Sequence, residues 1–117
     1  MMQVGIDFGL TNTDVAVMAD GAVVQSATLP SERPVTPAHL TRALAALGRS
    51  VSDFTRLCVT GGQHRQLPDD IAGVAVAKAD EIASIGLGGL YLARRQEPGL
   101  KEALIVSAGS GTAMVAA

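Results

Sequence analysis

The stretch VGIDFGLTNTD (residues 4–14) sets one carboxylate, Asp7, near the end of an alternating apolar strand. Gly9 and the small polar residues Thr11, Asn12 and Thr13 follow it. Glycine lets a backbone bend sharply and come close to a ligand. Hydroxyls, an amide and turn N–H groups can receive phosphate oxygens, and a carboxylate at a strand end can hold magnesium through water. A second stretch, LIVSAGSGTAMVA (residues 104–116), repeats the design: an apolar strand runs into Gly109, Ser110, Gly111 and Thr112 and then into another apolar strand. Two such turns can grip a phosphate chain from two sides. The plain alternative is a pair of ordinary hairpins, with Asp7 capping turn amides. Neither GxxxxGK[ST] nor GxGxxG occurs, so the phosphate reading rests on neither of those fingerprints.

These turns need a frame. Gln3 to Phe8 reads as a strand, Asp14 to Ala19 as a second, and the pair Asp20-Gly21 as a hairpin turn leading to a third over Ala22 to Leu29. Pro30 to Pro37 is a loop with three prolines in eight residues. Thr36 is a good N-cap and Pro37 a good first helical residue. Leu40, Leu44 and Leu47 then recur at helical spacing, and Gly48 can close the helix. RLCVTGG (residues 56–62) reads as a short buried strand ending in Gly61 and Gly62. These glycines either let the chain pass close to a substrate or simply turn it. QHRQLPDD is expected to be a loop and VAVA a brief strand. Asp80 to Gln96 reads as a second helix, with Asp80 as N-cap and Glu81 placed to favour the helix dipole. The order is β-β-β-α-β-(β)-α-β-β, an α/β chain of one domain spanning residues 1–117.

Bulk properties narrow the class. The chain has 117 residues, is 48% hydrophobic and 17% charged, and carries a formal net charge of -2. That balance argues against a nucleic-acid partner. The single cysteine, Cys58, cannot form an internal disulfide, which fits a reducing, cytoplasmic setting. The start MMQVGID lacks the order of a signal peptide. No apolar run reaches the roughly 18 residues that span a bilayer. No His/Cys/Asp spacing suggests zinc. His39, near a helix start, is expected on the surface. His64 and Arg65 beside the Gly pair are expected in a surface loop, although His64 can reach a substrate and Arg65 an anionic group. Ile82, Gly86, Gly89 and Ala93 form a mostly small-residue stripe that permits close packing on a sheet or on another helix.

GIDFGLTNTD resembles the first phosphate loop of the superfamily of actin, sugar kinases and heat-shock ATPases, and AGSGTA resembles its second. Within it, LCVTGGQHRQL, KADEIASIGLGGLYLA and LIVSAGSGTAMVA together resemble, in order and spacing, the type II pantothenate kinases, across essentially the whole chain. The resemblance implies an RNase H-like fold with a mixed sheet. It implies ATP and Mg2+ as cofactors and pantothenate as the small-molecule substrate. It implies Glu81 as the base that takes the pantothenate hydroxyl proton before attack on the γ-phosphoryl group. It places phosphates against Asp7, Gly9, Thr11, Asn12, Thr13 and Gly109 to Thr112, the metal at Asp7, and substrate at Gly61, Gly62 and Ser110. It allows a homodimer through the second helix. Two features depart from that family. Leu10 replaces a glycine, and Asp14 stands where a phosphate-facing lysine is expected. The TNTD ending is similar to the hydantoinase and oxoprolinase ATPases, which are the alternative together with the dehydratase-activator ATPases. A non-catalytic binding or regulatory domain is a further alternative. The superfamily binds ATP between two domains, so the chain is expected to be the N-terminal half, binding ATP poorly and lacking useful turnover alone.

Overall fold

The computed structural model describes residues 2–108 and 112–117. The chain forms two compact units, Met1–Ala79 and Asp80–Ala117.

In the first unit, strands β1 (Met2–Phe8), β2 (Asn12–Ala19) and β3 (Ala22–Pro30) form an antiparallel meander. Asp20 and Gly21, with φ of 52° and 77°, make the turn between β2 and β3. This is the left-handed pair that matches strand twist in a two-residue hairpin. Helix α1 (Pro37–Ala45) follows, with Thr36 as N-cap accepting from the His39 N–H at 3.2 Å. Gly48, at φ 70°, lies just beyond the helix end. Strand β4 (Leu57–Gly61) then joins β1 in parallel, and β6 (Val74–Lys78) joins β4 in parallel. The six-stranded order is β3-β2-β1-β4-β6-β5.

One strand was not legible as such. At the end of the expected loop, Asp70 and the next residue, Ile71, form β5, antiparallel to β6. The turn between them uses Ala72 at φ 52° and Gly73 at φ 82°. Alanine rarely takes a left-handed conformation, so the hairpin lacked its usual signature. The same expected loop also holds a short 3-10 turn over His64–Gln66.

Period-two alternation sorts the sheet into two faces. Val4, Ile6 and Phe8 of β1, Val15 and Val17 of β2, and Leu57 and Val59 of β4 are buried with Leu40, Ala43 and Leu44 of α1. This is the core of the first unit. On the opposite face of the strands, Asp7 pairs in register with Asp14 of β2 and with Thr60 of β4. Partners directly opposite point to the same side, so Asp7, Asp14 and Thr60 share this face.

In the second unit, α2 (Glu81–Gln96) packs on a two-stranded hairpin, β7 (Leu104–Ala108) and β8 (Thr112–Ala116). Asp80 is the N-cap expected of it, its Oδ2 accepting from the Ala83 N–H at 2.9 Å. Gly86 and Gly89 are the contact points. A Cβ on Gly86 would stand 3.0 Å from Val115 Cγ1, and one on Gly89 would stand 2.8 Å from Ile105 Cδ1. The small-residue stripe therefore serves close packing on the β7–β8 hairpin, while Ile82, at one end of it, is 54% exposed. No helix among the described residues is long and apolar enough to cross a membrane.

Candidate functional site

The first unit brings two glycine turns to the carboxyl ends of β1 and β4. Ligands of α/β sheets characteristically bind at that end of the strands. At the β1 end, a Cβ on Gly9 would lie 2.5 Å from the Asn12 carbonyl oxygen, so the turn closes only with glycine there. Thr11 and Asn12 are exposed, while Thr13 is fully buried. Thr11 and Asn12 can therefore meet a ligand directly, whereas Thr13 works from inside the fold.

At the β4 end, Gly61 has φ 93°. A Cβ on it would stand 2.6 Å from Asp7 Oδ1 and 2.6 Å from the Phe8 carbonyl oxygen. Asp7 thus has its Oδ1 enclosed against the Gly61 backbone. The Gly62 N–H donates to the Phe8 carbonyl at 3.0 Å and ties the two turns together. Asp7, Gly9, Gly61 and Gly62, separated by about half the chain, are neighbours here.

A hydrogen-bonded chain braces the first turn from behind. Ser31 Oγ donates to the Gly9 carbonyl at 2.6 Å, and the Ser31 N–H donates to the Thr11 carbonyl at 2.9 Å. Thr13 Oγ1 lies 3.1 Å from Ser31 Oγ and 3.0 Å from His39 Nε2. His39 Nδ1 in turn lies 3.1 Å from Glu32 Oε2. Arg42 completes the chain, its Nε donating to Glu32 Oε2 at 3.0 Å and its Nη2 to Oε1. The hydrogen bond from Arg42 holds the Glu32 carboxyl below its usual range, and the Glu32 carboxylate raises Arg42.

Two histidine expectations are corrected. His39 is fully buried, not on the surface. Its ring is tilted against Phe8 with centroids 5.5 Å apart, and both nitrogens have partners. Its partners lie 26 and 7 residues away, and no local pattern announces such a network. His64 is only 6% exposed. Its Nδ1 lies 2.5 Å from the Gly61 carbonyl, which can only accept, so Nδ1 carries the proton. Its Nε2 is buried and has no hydrogen-bond partner among the described residues.

Asp14 is exposed, its Oδ1 accepting from Thr28 Oγ1 at 2.5 Å across the β2–β3 ladder. Asp7 and Asp14 thus set two hard oxygen donors on adjacent strands. Magnesium is commonly held by one or two carboxylates with waters and phosphates completing its shell, so this pair fits the ion. Among the described residues no cluster of three or more His, Cys, Asp or Glu could hold a metal by protein ligands alone.

The remaining expected site residues belong to the second unit. Glu81 is exposed in the first turn of α2. Thr112 begins β8. Gly109, Ser110 and Gly111 lie outside the described residues.

The fold is α/β with a mixed sheet, and several solved structures share it. It is similar to the activator of 2-hydroxyisocaproyl-CoA dehydratase from Clostridium difficile with bound ADPNP. That match has 18% identity and a TM-score of 0.61, covering 99% of this chain and 46% of that one. It is likewise similar to component A of (R)-2-hydroxyglutaryl-CoA dehydratase from Acidaminococcus fermentans, at 16% identity and a TM-score of 0.62, covering 96% and 44%. A ROK hexokinase from Thermus thermophilus matches at 13% identity and a TM-score of 0.62, covering 99% and 45%. The chain therefore spans somewhat less than half the length of each. No family model and no curated protein matches the sequence.

Proposed function

We propose that the chain is the N-terminal, phosphate-binding half of an ATP-dependent phosphotransferase or ATPase, with residues 1–117 acting as one RNase H-like domain. The supporting observation is the convergence of Asp7, Gly9, Gly61 and Gly62 at the carboxyl ends of β1 and β4. A dehydratase activator with bound ADPNP shares this fold. In this reading the exposed turn of Thr11 and Asn12 receives phosphate oxygens, with Thr13 bracing it from within. Asp7, with Asp14 beside it, holds Mg2+, which supplies charge neutralisation on the phosphates when bound. Gly109, Ser110, Gly111 and Thr112 form the second phosphate turn.

The finer reading follows the sequence resemblance. Pantothenate is the acceptor, Glu81 takes its hydroxyl proton, and Gly61, Gly62 and Ser110 line its pocket. The protein then acts in the cytoplasm, in the first step of coenzyme A biosynthesis, as a homodimer. An ATPase of the dehydratase-activator or oxoprolinase type is the second reading. It is favoured by Asp14, which removes the cation a pantothenate kinase would present at this turn.

Calorimetry with Mg2+ and ADPNP tests the shared core of both readings. The chain is expected to bind weakly, in a magnesium-dependent manner, and Asp7→Asn is expected to abolish the magnesium dependence. Absence of binding at millimolar nucleotide sinks the phosphate reading of the turns. Pantothenate in the same cell separates the two readings, since only the kinase binds it. In a protein that carries the whole cleft, Glu81→Gln is expected to keep nucleotide binding and lose transfer.

A further inference from the structure

The β1–β2 turn has no cation of its own. Asp14 stands at its end, and Asp7 lies on the same face of the sheet. An anion bound there is attracted by Mg2+ held at these carboxylates and further by any cationic side chain that reaches the turn.

Arg33 is placed to be such a side chain. Its guanidinium lies over Gly62. A Cβ on Gly62 would stand 3.4 Å from Arg33 Nη2, 3.7 Å from Nη1 and 3.8 Å from the Phe8 carbonyl oxygen. The charged group therefore sits at the carboxyl ends of β1 and β4, beside the turn that closes on Gly9. Arg33 is exposed and makes no hydrogen bond or ion pair with any described residue. Of the other basic residues of the first unit, Arg56 and Arg65 likewise make no side-chain hydrogen bond or ion pair with a described residue, and three are engaged. Arg42 is paired with Glu32, Lys78 lies 3.1 Å from Asp69 Oδ1, and Arg49 Nε donates to Gln25 Oε1 at 2.9 Å.

The backbone that carries Arg33 is pinned on both sides. Ser31 is bonded to the Gly9 and Thr11 carbonyls. Glu32 is held by His39 and Arg42 of α1. Val35 is buried. A guanidinium on a fixed stem loses less freedom on binding than one on a mobile loop. Its planar fork presents two parallel N–H donors, which match two oxygens of one phosphoryl group. The absent side chain at Gly62 leaves open the space such a group would enter.

The geometry points to Arg33 as an anion-recognition residue, its guanidinium taking a phosphoryl oxyanion at the ends of β1 and β4. This rests on the phosphate reading of the β1–β2 turn. A carboxylate offers a similar two-oxygen edge, so the test includes one.

The full chain, labelled with nitrogen-15, is titrated with tripolyphosphate and Mg2+ and, separately, with malonate at matched ionic strength. Tripolyphosphate is expected to move the Arg33 Nε–H and Gly62 N–H resonances together with the amides of residues 9–13. Arg33→Gln is expected to weaken binding about tenfold or more, the range of a lost charge-assisted bond. Arg33→Lys restores part of it, because charge returns without the fork. If the amides of residues 9–13 respond but Arg33 does not, or if Arg33→Gln binds like the parent, the inference is overturned and the phosphate turn stands. A stronger response to malonate overturns the phosphoryl assignment. If no resonance responds to either anion, the phosphate reading itself fails and this inference falls with it.

Discussion

Gly61 and Gly62 are adjacent and equivalent on paper, yet the structure asks different things of them. Gly61 combines a left-handed φ of 93° with backbone and carboxylate atoms where a side chain would start. Gly62 meets only the end of a flexible arginine within 3.7 Å. Gly61→Ala is therefore expected to destabilise the first unit by more than about 2 kcal/mol, from left-handed strain plus displacement of Asp7 and Phe8. Gly62→Ala is expected to stay within about 0.5 kcal/mol, as for a surface change. Urea unfolding of the two variants checks this, and equal losses would refute the distinction. The sequence marked both glycines as candidates because a Gly pair after an apolar strand signals a turn. Which of the two the turn cannot spare depends on the parallel pairing of β1 with β4, and no local pattern carries that. The same limit explains His39. Its burial is decided by Thr13 from one strand and Glu32 from a loop, neither of them a near neighbour on its own helix.

At the level of elements the sequence was more readable, because periodicity and caps are local. The β1–β2–β3 meander, the Thr36 and Asp80 caps and the extent of α2 all follow from patterns within a dozen or so residues. The strand β5 did not, since its turn spends an alanine where glycine or asparagine is usual. Helix α2 allows a sharp test of what its glycines do. Gly88 and Gly89 are neighbours, but a Cβ on Gly88 meets nothing within 4 Å, whereas one on Gly89 drives into Ile105. Gly88→Ala is expected to gain up to about 1 kcal/mol through helix propensity. Gly89→Leu is expected to lose about 1–3 kcal/mol through overpacking against β7, outweighing its own gain in propensity. Helical circular dichroism followed through thermal unfolding reads both signs. If Gly89→Leu matches Gly88→Ala, α2 does not pack on the hairpin through this stripe.

Across the whole molecule, the two units differ in how much apolar surface each can hide. Among the described residues, Met1–Ala79 holds every buried hydrophobic side chain of the core, from Val4 to Val76. Asp80–Ala117 is one helix on one hairpin. It leaves Leu87, Leu92, Leu104, Val106 and Met114 exposed, Leu87 and Met114 each at 71%. A chain below about 40 residues seldom folds alone without disulfides, metals or association, and this unit has no cysteine to spend. Residues 1–79 are therefore expected to fold cooperatively on their own, with a dispersed amide spectrum and the β1, β2 and β4 amides slowest to exchange. Residues 80–117 on their own are expected to be largely unfolded or self-associated. In the 117-residue chain, amides of α2 are expected to exchange through openings of lower free energy than those of β1, because fewer buried contacts oppose them. A folded, monomeric 80–117 peptide, or equal protection of α2 and β1, would show that the hairpin and helix carry a core the exposed leucines do not suggest. The candidate phosphate turn, Asp7 and Arg33 all lie within residues 1–79. That fragment is accordingly expected to keep the anion response of the full chain, and loss of the response in residues 1–79 would show that recognition needs residues 80–117.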